Sequence, residues 1–489
     1  MPQHGTVRAG TTIVVVPSLT LDNDELSKIT GAVHFEERLL FLLQMLRQPD
    51  VRIVYVVSEP LDSELVTYAL DISSVLAVPG TRSRLTILSC DDAGCEPLTG
   101  KIMRHPILID RIRNAIPDPR LAYLATYNST ELERQLALAL DIPLFACDPE
   151  LADLGTKSGS RQLFRAADVP IPFGFEDVRT PEDLSDALRE LKSARPGLKR
   201  AVLKLNESFA GGGNALFSFD GSPAGTLRSW LSSELSERLT FAAEGETATS
   251  YLAKLRKMGG IVEEFMETPH GRSPSVQIEI DPSGSARVIS GHDQLLSGNL
   301  GQVFTGCTFP ARDSYRGLIQ TLGLRAGQAL AECGVTGQLS IDFVVDDPPG
   351  QPSRAYALEV NLRMGGATTP FFLLQGLTGG HYQPDSGDYV VLGDQPRCYV
   401  ASDRIQRDSY RRLRPMDVVS LARRTGLHYD RATCKGVAFY MLGALKTVGK
   451  LGVIAIGETP EESQRLYDTM LAELTASSEQ LASEVVPIR

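Results

Sequence analysis

A protein of several lobes mixing α/β and α+β parts is what this sequence predicts, and three observations predict it. The first 150 residues alternate short apolar runs with helical patterns, as parallel βαβ units do. Beyond them the strands acquire polar faces and are divided by glycine- and proline-rich turns. Gly337 to Gly366, GQLSIDFVVDDPPGQPSRAYALEVNLRMGG, then places acidic, amide and cationic side chains on one predicted hairpin. At 489 residues the chain is too long for one ordinary core. It divides into 1–150, 151–395 and a small α+β lobe at 396–489.

Thr11 to Pro17, TTIVVVP, is a buried-strand pattern, Asp24 to Arg47 carries apolar residues at helical spacing, and Val51 to Val57 is again a strand. Leu61 to Ile72 reads as helix, Leu85 to Ser89 and Leu121 to Thr126 as strands, and Ser129 to Leu140 as helix. Neither GxGxxG nor GxxxxGK[ST] occurs, so this part has no phosphate loop of the familiar kinds. Gly155 to Arg161 opens a short helix carrying Lys157, followed by the proline-rich connection Ala167 to Phe175.

Ala201 to Leu205 is a strand with Lys204 on the face opposite Leu203 and Leu205. NESFAGGGN follows at once, and its Gly211, Gly212 and Gly213 let backbone N–H groups approach an anion, since no Cβ stands in the way. A glycine run alone is equally a flexible loop; directly after a strand-borne lysine it is a candidate phosphate cradle. Pro223 to Leu239 and Glu244 to Met258 look helical. Ile261 to Met266 is a strand carrying Glu263 and Glu264, with Glu267 just beyond. Such carboxylates are either exposed strand-end charges or acceptors for an adenine amino group and ribose hydroxyls.

Ser275 to Ile280 and Ala286 to Ser290 are strands, and Arg312 to Cys333 is a long helix feeding the hairpin. His292 beside Asp293 resembles a general base, yet no GxSxG elbow or reactive-cysteine setting accompanies it. After Gly366 come the apolar run Phe371 to Leu377 and a loop from Gly379 to Asp388. Cys434 to Ile456 then reads as strand, turn and strand, and Thr459 to Leu474 as an amphipathic helix.

On the hairpin, alternation puts Tyr356, Leu358 and Val360 on one face and Ala357, Glu359 and Asn361 on the other. Folding at Gly350 brings Asp342 near Glu359, so two carboxylates and an amide oxygen converge. Hard oxygen ligands of this kind suit Mg²⁺, which binds through one or two carboxylates plus substrate phosphates. Arg363 is placed to neutralise a phosphate or acyl phosphate. Solvated hairpin charges are the alternative for the same residues.

A net charge of −11 argues against bulk nucleic-acid binding and favours small-molecule chemistry. Seven cysteines form no CxxC pair and no zinc spacing, as expected in a reducing compartment. No stretch approaches a membrane span and no leader pattern opens the chain, so a cytoplasmic protein without membrane contact is expected.

In chain order, then, there are Lys157, Lys204 with its glycine run, the acidic VEEFM strand, and Asp342, Glu359, Asn361 and Arg363 within LEVNLRMGG. This order resembles the ATP-grasp superfamily over about 150–395. EERLLFLLQMLRQPDVRIVYVVSEP, SPSVQIEI and KGVAFYMLGALKTVGKLGVIAIGETPEE add a likeness to peptide ligases of the pheganomycin-biosynthesis type. Those have a pre-ATP-grasp lobe, an ATP-grasp domain and a special C-terminal lobe, and the likeness implies a lid subdomain over about 200–268. The resemblance implies that Lys157 and Lys204 hold the α- and β-phosphates of ATP under a lid loop at Gly211, Gly212 and Gly213. It implies that Glu263, with the backbone of Glu264, Phe265 and Met266, meets the adenine, and that Glu267 meets the ribose. Asp342, Glu359 and Asn361 would bind one or two Mg²⁺, with Mn²⁺ a substitute, and Arg363 and Lys204 would act in catalysis.

The implied activity is an ATP-dependent carboxylate–amine ligase that forms an amide through an acyl phosphate, acting on amino acids or peptides. A phosphotransferase (kinase) and a non-catalytic nucleotide-binding protein are the alternatives. Gly291 to Pro310 is a candidate substrate wall, with His292 and Gln302 as its polar members. A homodimer is implied by resemblance.

Overall fold

The computed structural model describes residues 8–208, 212–223, 227–267, 269–298 and 301–484. Its N-terminal part is a sheet of β1 (Thr12–Val16), β2 (Arg52–Val57), β3 (Leu85–Ser89), β4 (Ala122–Thr126) and β5 (Leu144–Phe145). The order is β3-β2-β1-β4-β5 and every pairing is parallel. A parallel strand covered on both faces needs apolar residues at every position, which is why TIVVV reads as an unbroken run. Val14 and Val16 pack with Leu98, Ile102 and Leu136 on one side. Ile13 and Val15 enter a second core that extends to Ile454, Met470 and Leu474 near the C-terminus.

The helix expected over Asp24 to Arg47 is instead two pieces, an α-helix Asn23–Ser27 and a 3-10 helix Ala32–Arg47. Gly31, at φ 73°, turns the chain between them, and a Cβ there would stand 3.1 Å from the Val448 side chain. Only glycine takes that backbone and that contact together.

The segment expected as a lid belongs to an antiparallel sheet of β6 (Gly174–Val178), β7 (Arg200–Leu205), β8 (Asn214–Ser218), β9 (Leu239–Phe241) and β10 (Gly260–Glu264), ordered β6-β10-β7-β8-β9. Helices Pro181–Ala194, Leu227–Glu234 and Ala248–Met258 cover one face, where Leu203, Leu205 and Val262 are buried with Leu188, Leu231 and Leu255. Alternation therefore turns Lys204 and Glu263 to the opposite, open face. The helix expected from Pro223 to Leu239 stops at Glu234, and Leu239 begins β9.

The central sheet contains β11 (Gly271–Arg272), β12 (Pro274–Ile280), β13 (Ala286–Ser297), β14 (Val303–Phe309), β15 (Gly337–Asp346) and β16 (Arg354–Asn361). Helix Asp313–Glu332 packs Tyr315, Ile319 and Ala326 with Val276 and Ile278. The loop expected over Gly379 to Asp388 belongs to a small sheet of β17 (His381–Tyr382), β18 (Tyr389–Val391) and β19 (Gln395–Pro396).

The expected C-terminal lobe from residue 396 is joined to the central sheet by strand pairing. β20 (Cys398–Gln406) bonds to β14 with Phe309 opposite Tyr399, and β21 (Gly436–Tyr440) and β22 (Lys450–Gly457) continue outward. One sheet thus runs β11-β15-β12-β13-β14-β20-β22-β21, with β16 on β15. Its backbone hydrogen bonds carry the chain across the boundary that composition alone implied. Among the described residues, no helix is long and apolar enough to cross a membrane.

Candidate active site

A cavity of about 1020 Å³ opens where the lid, the central sheet and the N- and C-terminal parts meet. The β15–β16 hairpin forms one wall, with Asp342 opposite Glu359 and Ser340 opposite Asn361. The register slips between Asp342 and Phe343, leaving Leu358 as an extra residue. Before this bulge Ala355 and Ala357 face the core, and after it Val360 does. Leu358 therefore lines the cavity beside Glu359, which corrects the simple alternation that grouped it with Tyr356 and Val360.

The hairpin's acidic groups are held in a dense network. The Asn361 Nδ2 donates to Asp342 Oδ2 at 3.1 Å and to Glu359 Oε1 at 3.4 Å. Gln294 Nε2 donates to Asp342 Oδ1 at 2.9 Å, and Lys157 Nζ lies 2.5 Å from Glu359 Oε2. Arg363 donates to the Asn361 Oδ1 at 3.1 Å. Burial, and then the neighbouring Glu359, push the Asp342 carboxyl well above the usual range. Burial would raise Glu359 too, but Lys157, Lys204 and Arg363 pull it below the usual carboxylate range.

The two adjacent carboxylates share the Asn361 N–H between them, an arrangement that accommodates a cation, and turning the Asn361 amide plane would add its oxygen to the set. The residues fit a hard divalent ion such as Mg²⁺. Among the described residues no cluster of three or more His, Cys, Asp and Glu could hold a metal by itself, so phosphate oxygens and water would complete the coordination.

The other wall comes from the lid. Lys204 Nζ lies 2.7 Å from Glu263 Oε1, and the second carboxylate oxygen lies 2.7 Å from an Arg161 NH1 that is almost wholly buried. Arg161 Nε also reaches Glu176 at 2.6 Å. Sequence reading missed Arg161; its signal was the i, i+4 spacing from Lys157 on helix Lys157–Ala166, which turns both side chains inward.

Glu263 and Glu264, expected at the adenine, both line the cavity. The Glu263 carboxylate is taken by Arg161 and Lys204, and Glu264 accepts the Phe173 N–H at 2.9 Å. Glu267 lies outside the cavity lining and pairs with Arg200 at 2.9 Å, drawn off by that guanidinium. Phe265 and Met266 do line the cavity.

Gly211 lies outside the described residues, whereas Gly212 lines the cavity. A Cβ at Gly213 would stand 2.5 Å from the Ser208 Cβ, so the loop closes tightly only with glycine. Gln302 also lines the cavity and accepts the Asn214 Nδ2–H at 2.7 Å, tying β8 to the segment before β14. His292 does not belong to the substrate wall. It is wholly buried against Phe309 and Phe371 with Nε2 2.6 Å from the Tyr399 hydroxyl, and burial lowers it to about 3.

Two sheets that close over a cation-lined cavity, with an oxygen-rich hairpin opposite Lys204, are the ATP-grasp arrangement, and this chain has the ATP-grasp fold. The family model described as "IQCH-like, ATP-grasp" matches residues 149–220 and 242–384, and that described as "PGM1 C-terminal domain" matches 417–470. The L-propargylglycine–L-glutamate ligase of Streptantibioticus cattleyicolor is 28% identical over 464 residues, 92% of each chain. The Campylobacter jejuni biotin carboxylase complex with β-γ-ATP superposes with TM-score 0.55 at 13% identity, covering 95% of this chain and 91% of that one. The biotin carboxylase domain dimer of Hydrogenobacter thermophilus 2-oxoglutarate carboxylase, solved with MgADP, ADP and bicarbonate, gives 0.56 at 11% identity, covering 94% and 89%. At such identities the two structures speak to the fold alone.

Proposed function

We propose that this protein is an ATP-dependent ligase that joins the carboxylate of one amino acid or peptide to the amine of another, releasing ADP and phosphate. The observation that carries the proposal is the pairing, in one cavity, of Lys157, Lys204 and Arg363 with the Asp342, Glu359 and Asn361 oxygens. The ligase relative, similar over nearly its whole length, supports the amide-forming reading.

Among the described residues lining the cavity there is no cysteine thiol, and no histidine to activate its serines. Activation falls to ATP. A donor carboxylate oxygen attacks the γ-phosphorus and ADP leaves; the acceptor amine then attacks the acyl carbon, and phosphate departs with the bonding pair. Lys157 and Lys204 leave their carboxylate partners to bind phosphate oxygens, while Arg363 neutralises the acyl phosphate. Asp342, Glu359 and Asn361 would hold one or two Mg²⁺, whose charge would stabilise the phosphate oxygens when bound. The lid face bearing Gly212 and Gly213 would shut water from an intermediate that hydrolyses.

The proposal includes a cytoplasmic setting and a homodimer, the latter checked by sedimentation. The test is ADP and phosphate release with Mg·ATP across pooled amino acids and short peptides, with mass spectrometry of products. A new mass equal to two substrates less one water is expected. ADP with a phosphorylated product and no amide would establish the kinase reading instead.

A further inference from the structure

Beyond Arg363 the same cavity runs on between the N- and C-terminal parts, to a place that ATP does not account for. Phe35, Arg38 and Tyr127 line it from one side, and Asp403, Arg404 and Lys450 from the other. Arg38 is buried, with NH2 2.5 Å from Asp403 Oδ2 and NH1 donating to the Tyr127 hydroxyl at 3.2 Å. The Phe35 ring lies 4.0 Å from the Arg38 guanidinium carbon and 4.5 Å from the Lys450 Nζ, so one ring carries two cations.

Lys450, at the start of β22, is 8% exposed. Among the described residues its ammonium makes neither an ion pair nor a hydrogen bond. The exposed Arg404 guanidinium has no ion-pair partner among them either. Arg38, Arg404 and Lys450 thus face a single carboxylate, Asp403, which Arg38 already occupies. Burial first, then Arg38 and Arg404, lower the Lys450 ammonium to about 8 in spite of Asp403. A buried ammonium left without a partner destabilises the empty cavity and is relieved by an anion.

The cluster adjoins the reaction centre through the backbone. Next to Arg363, the Met364 N–H donates to the Tyr127 carbonyl at 3.1 Å, and the Tyr127 hydroxyl meets Arg38. The wall between is Gly365, Gly366 and Ala367. A Cβ at Gly366 would stand 2.4 Å from the Phe304 ring, so the wall is kept free of side chains. In the proposed ligation the donor carboxylate must lie at Arg363 and the metal hairpin, where it meets the γ-phosphate. The acceptor carries a second carboxylate that never reacts, one Cα away from its attacking amine.

We propose that Lys450 and Arg404, backed by Arg38, form the subsite that binds the free carboxylate of an acceptor amino acid and so aims its amine at the acyl phosphate. The inference rests on the ligase reading of the preceding subsection. It makes Lys450 and Arg404 specificity residues, since an amine without an adjacent carboxylate leaves the cluster unpaired.

The test compares L-amino acids with their carboxamides as acceptors for the wild type, Lys450→Met and the exposed-site variant Arg404→Gln. In the wild type the free acids should be preferred by about ten- to hundredfold in kcat/KM, the worth of a charge-assisted contact. Each variant should raise the acceptor KM by about tenfold or more and collapse that preference, with the KM for ATP unchanged. Equal use of acids and carboxamides by the wild type, or a loss confined to the KM of ATP or donor, overturns the subsite. Competitive acetylation of Lys450 by acetic anhydride separates the two proposals. Protection by pooled L-amino acids but not by their amides supports the subsite even where only ADP and a phosphorylated product form, which would overturn the ligase reading alone. Absence of protection overturns the subsite whatever the product.

Discussion

Replacing Arg161 with methionine keeps roughly the side-chain volume and removes every charge-assisted bond that this buried group makes. In the folded protein Arg161 reaches Glu176 at 2.6 Å, Glu263 at 2.7 Å and the Pro172 carbonyl at 3.0 Å, with its side chain 1% exposed. Removing one partner of a buried pair typically destabilises by about 3–5 kcal/mol, because a carboxylate is left without compensation. Here Glu263 keeps Lys204 at 2.7 Å and Glu176 keeps Arg165 at 2.7 Å. The lower end, about 3 kcal/mol, is therefore expected, which is about a hundredfold in a local opening equilibrium. Hydrogen exchange followed by mass spectrometry reads this directly in helix Lys157–Ala166 and strand β10. Arg161→Lys, which keeps a charge but cannot span both carboxylates, should retain about half of the protection that Arg161→Met loses. Unchanged exchange in Arg161→Met, or an Arg161→Lys variant that opens faster than it, would refute the reasoning.

At the hairpin, Glu359→Ala or Asn361→Ala should lower turnover by at least about a hundredfold with the fold intact, since loss of even outer metal partners costs ten- to hundredfold; near-normal kcat in both would remove the metal assignment. Lys204→Ala should weaken ATP binding by about tenfold or more, read by calorimetry, and an unchanged Kd would withdraw its phosphate role. Glu36 supplies a pH dependence. Burial raises its carboxyl from 4.5 to about 7 despite two hydrogen bonds from Ser58. The folded state holds that proton more tightly, so the contribution is complete below pH 4.5 and lost as pH rises through 7. Glu36→Gln, uncharged throughout, should gain up to about 3 kcal/mol relative to the wild type between pH 5 and pH 8 in urea melts, and a parallel pH dependence of the two proteins would contradict it.

Much of the site was legible because local period and distant chemistry agreed. Leu203 and Leu205 are buried beneath the lid helices, so Lys204 faces the cavity as alternation requires. Asp342 and Glu359 lie opposite each other because two strands and a turn fix their register. What was not legible depends on partners remote in sequence. Leu358 reaches the cavity through a bulge that carries no glycine to betray it. His292 and Asp293 look like a catalytic pair, but Phe309, Phe371 and Tyr399 converge from three later segments to bury the ring. Glu263 carries no mark of its binding to Arg161, a residue that reads as an ordinary helical cation. The closing of β14 on β20 sets the C-terminal strands in the central sheet, and composition gives no hint of it.

The two ends of the cavity handle charge in opposite ways. At the nucleotide end each cation already has a partner: Lys157 on Glu359, Lys204 on Glu263, Arg363 on Asn361. Such pairs keep buried charges stable before ligand arrives, and they also oppose binding, because a lysine must leave its carboxylate to meet a phosphate. Glu359 ties the two events together. If it served as a metal ligand as proposed, Lys157 would lose its claim on the carboxylate and turn more readily to phosphate, so metal and nucleotide would strengthen each other's binding by the same factor. At the far end Lys450 faces the cavity without an ion pair among the described residues, and no such exchange of partners is needed there. An anion entering that end gains the contact outright, whereas ATP gains only the difference between two partners. On the proposed assignments, the nucleotide end would select the complete metal–nucleotide pair and the far end a single carboxylate.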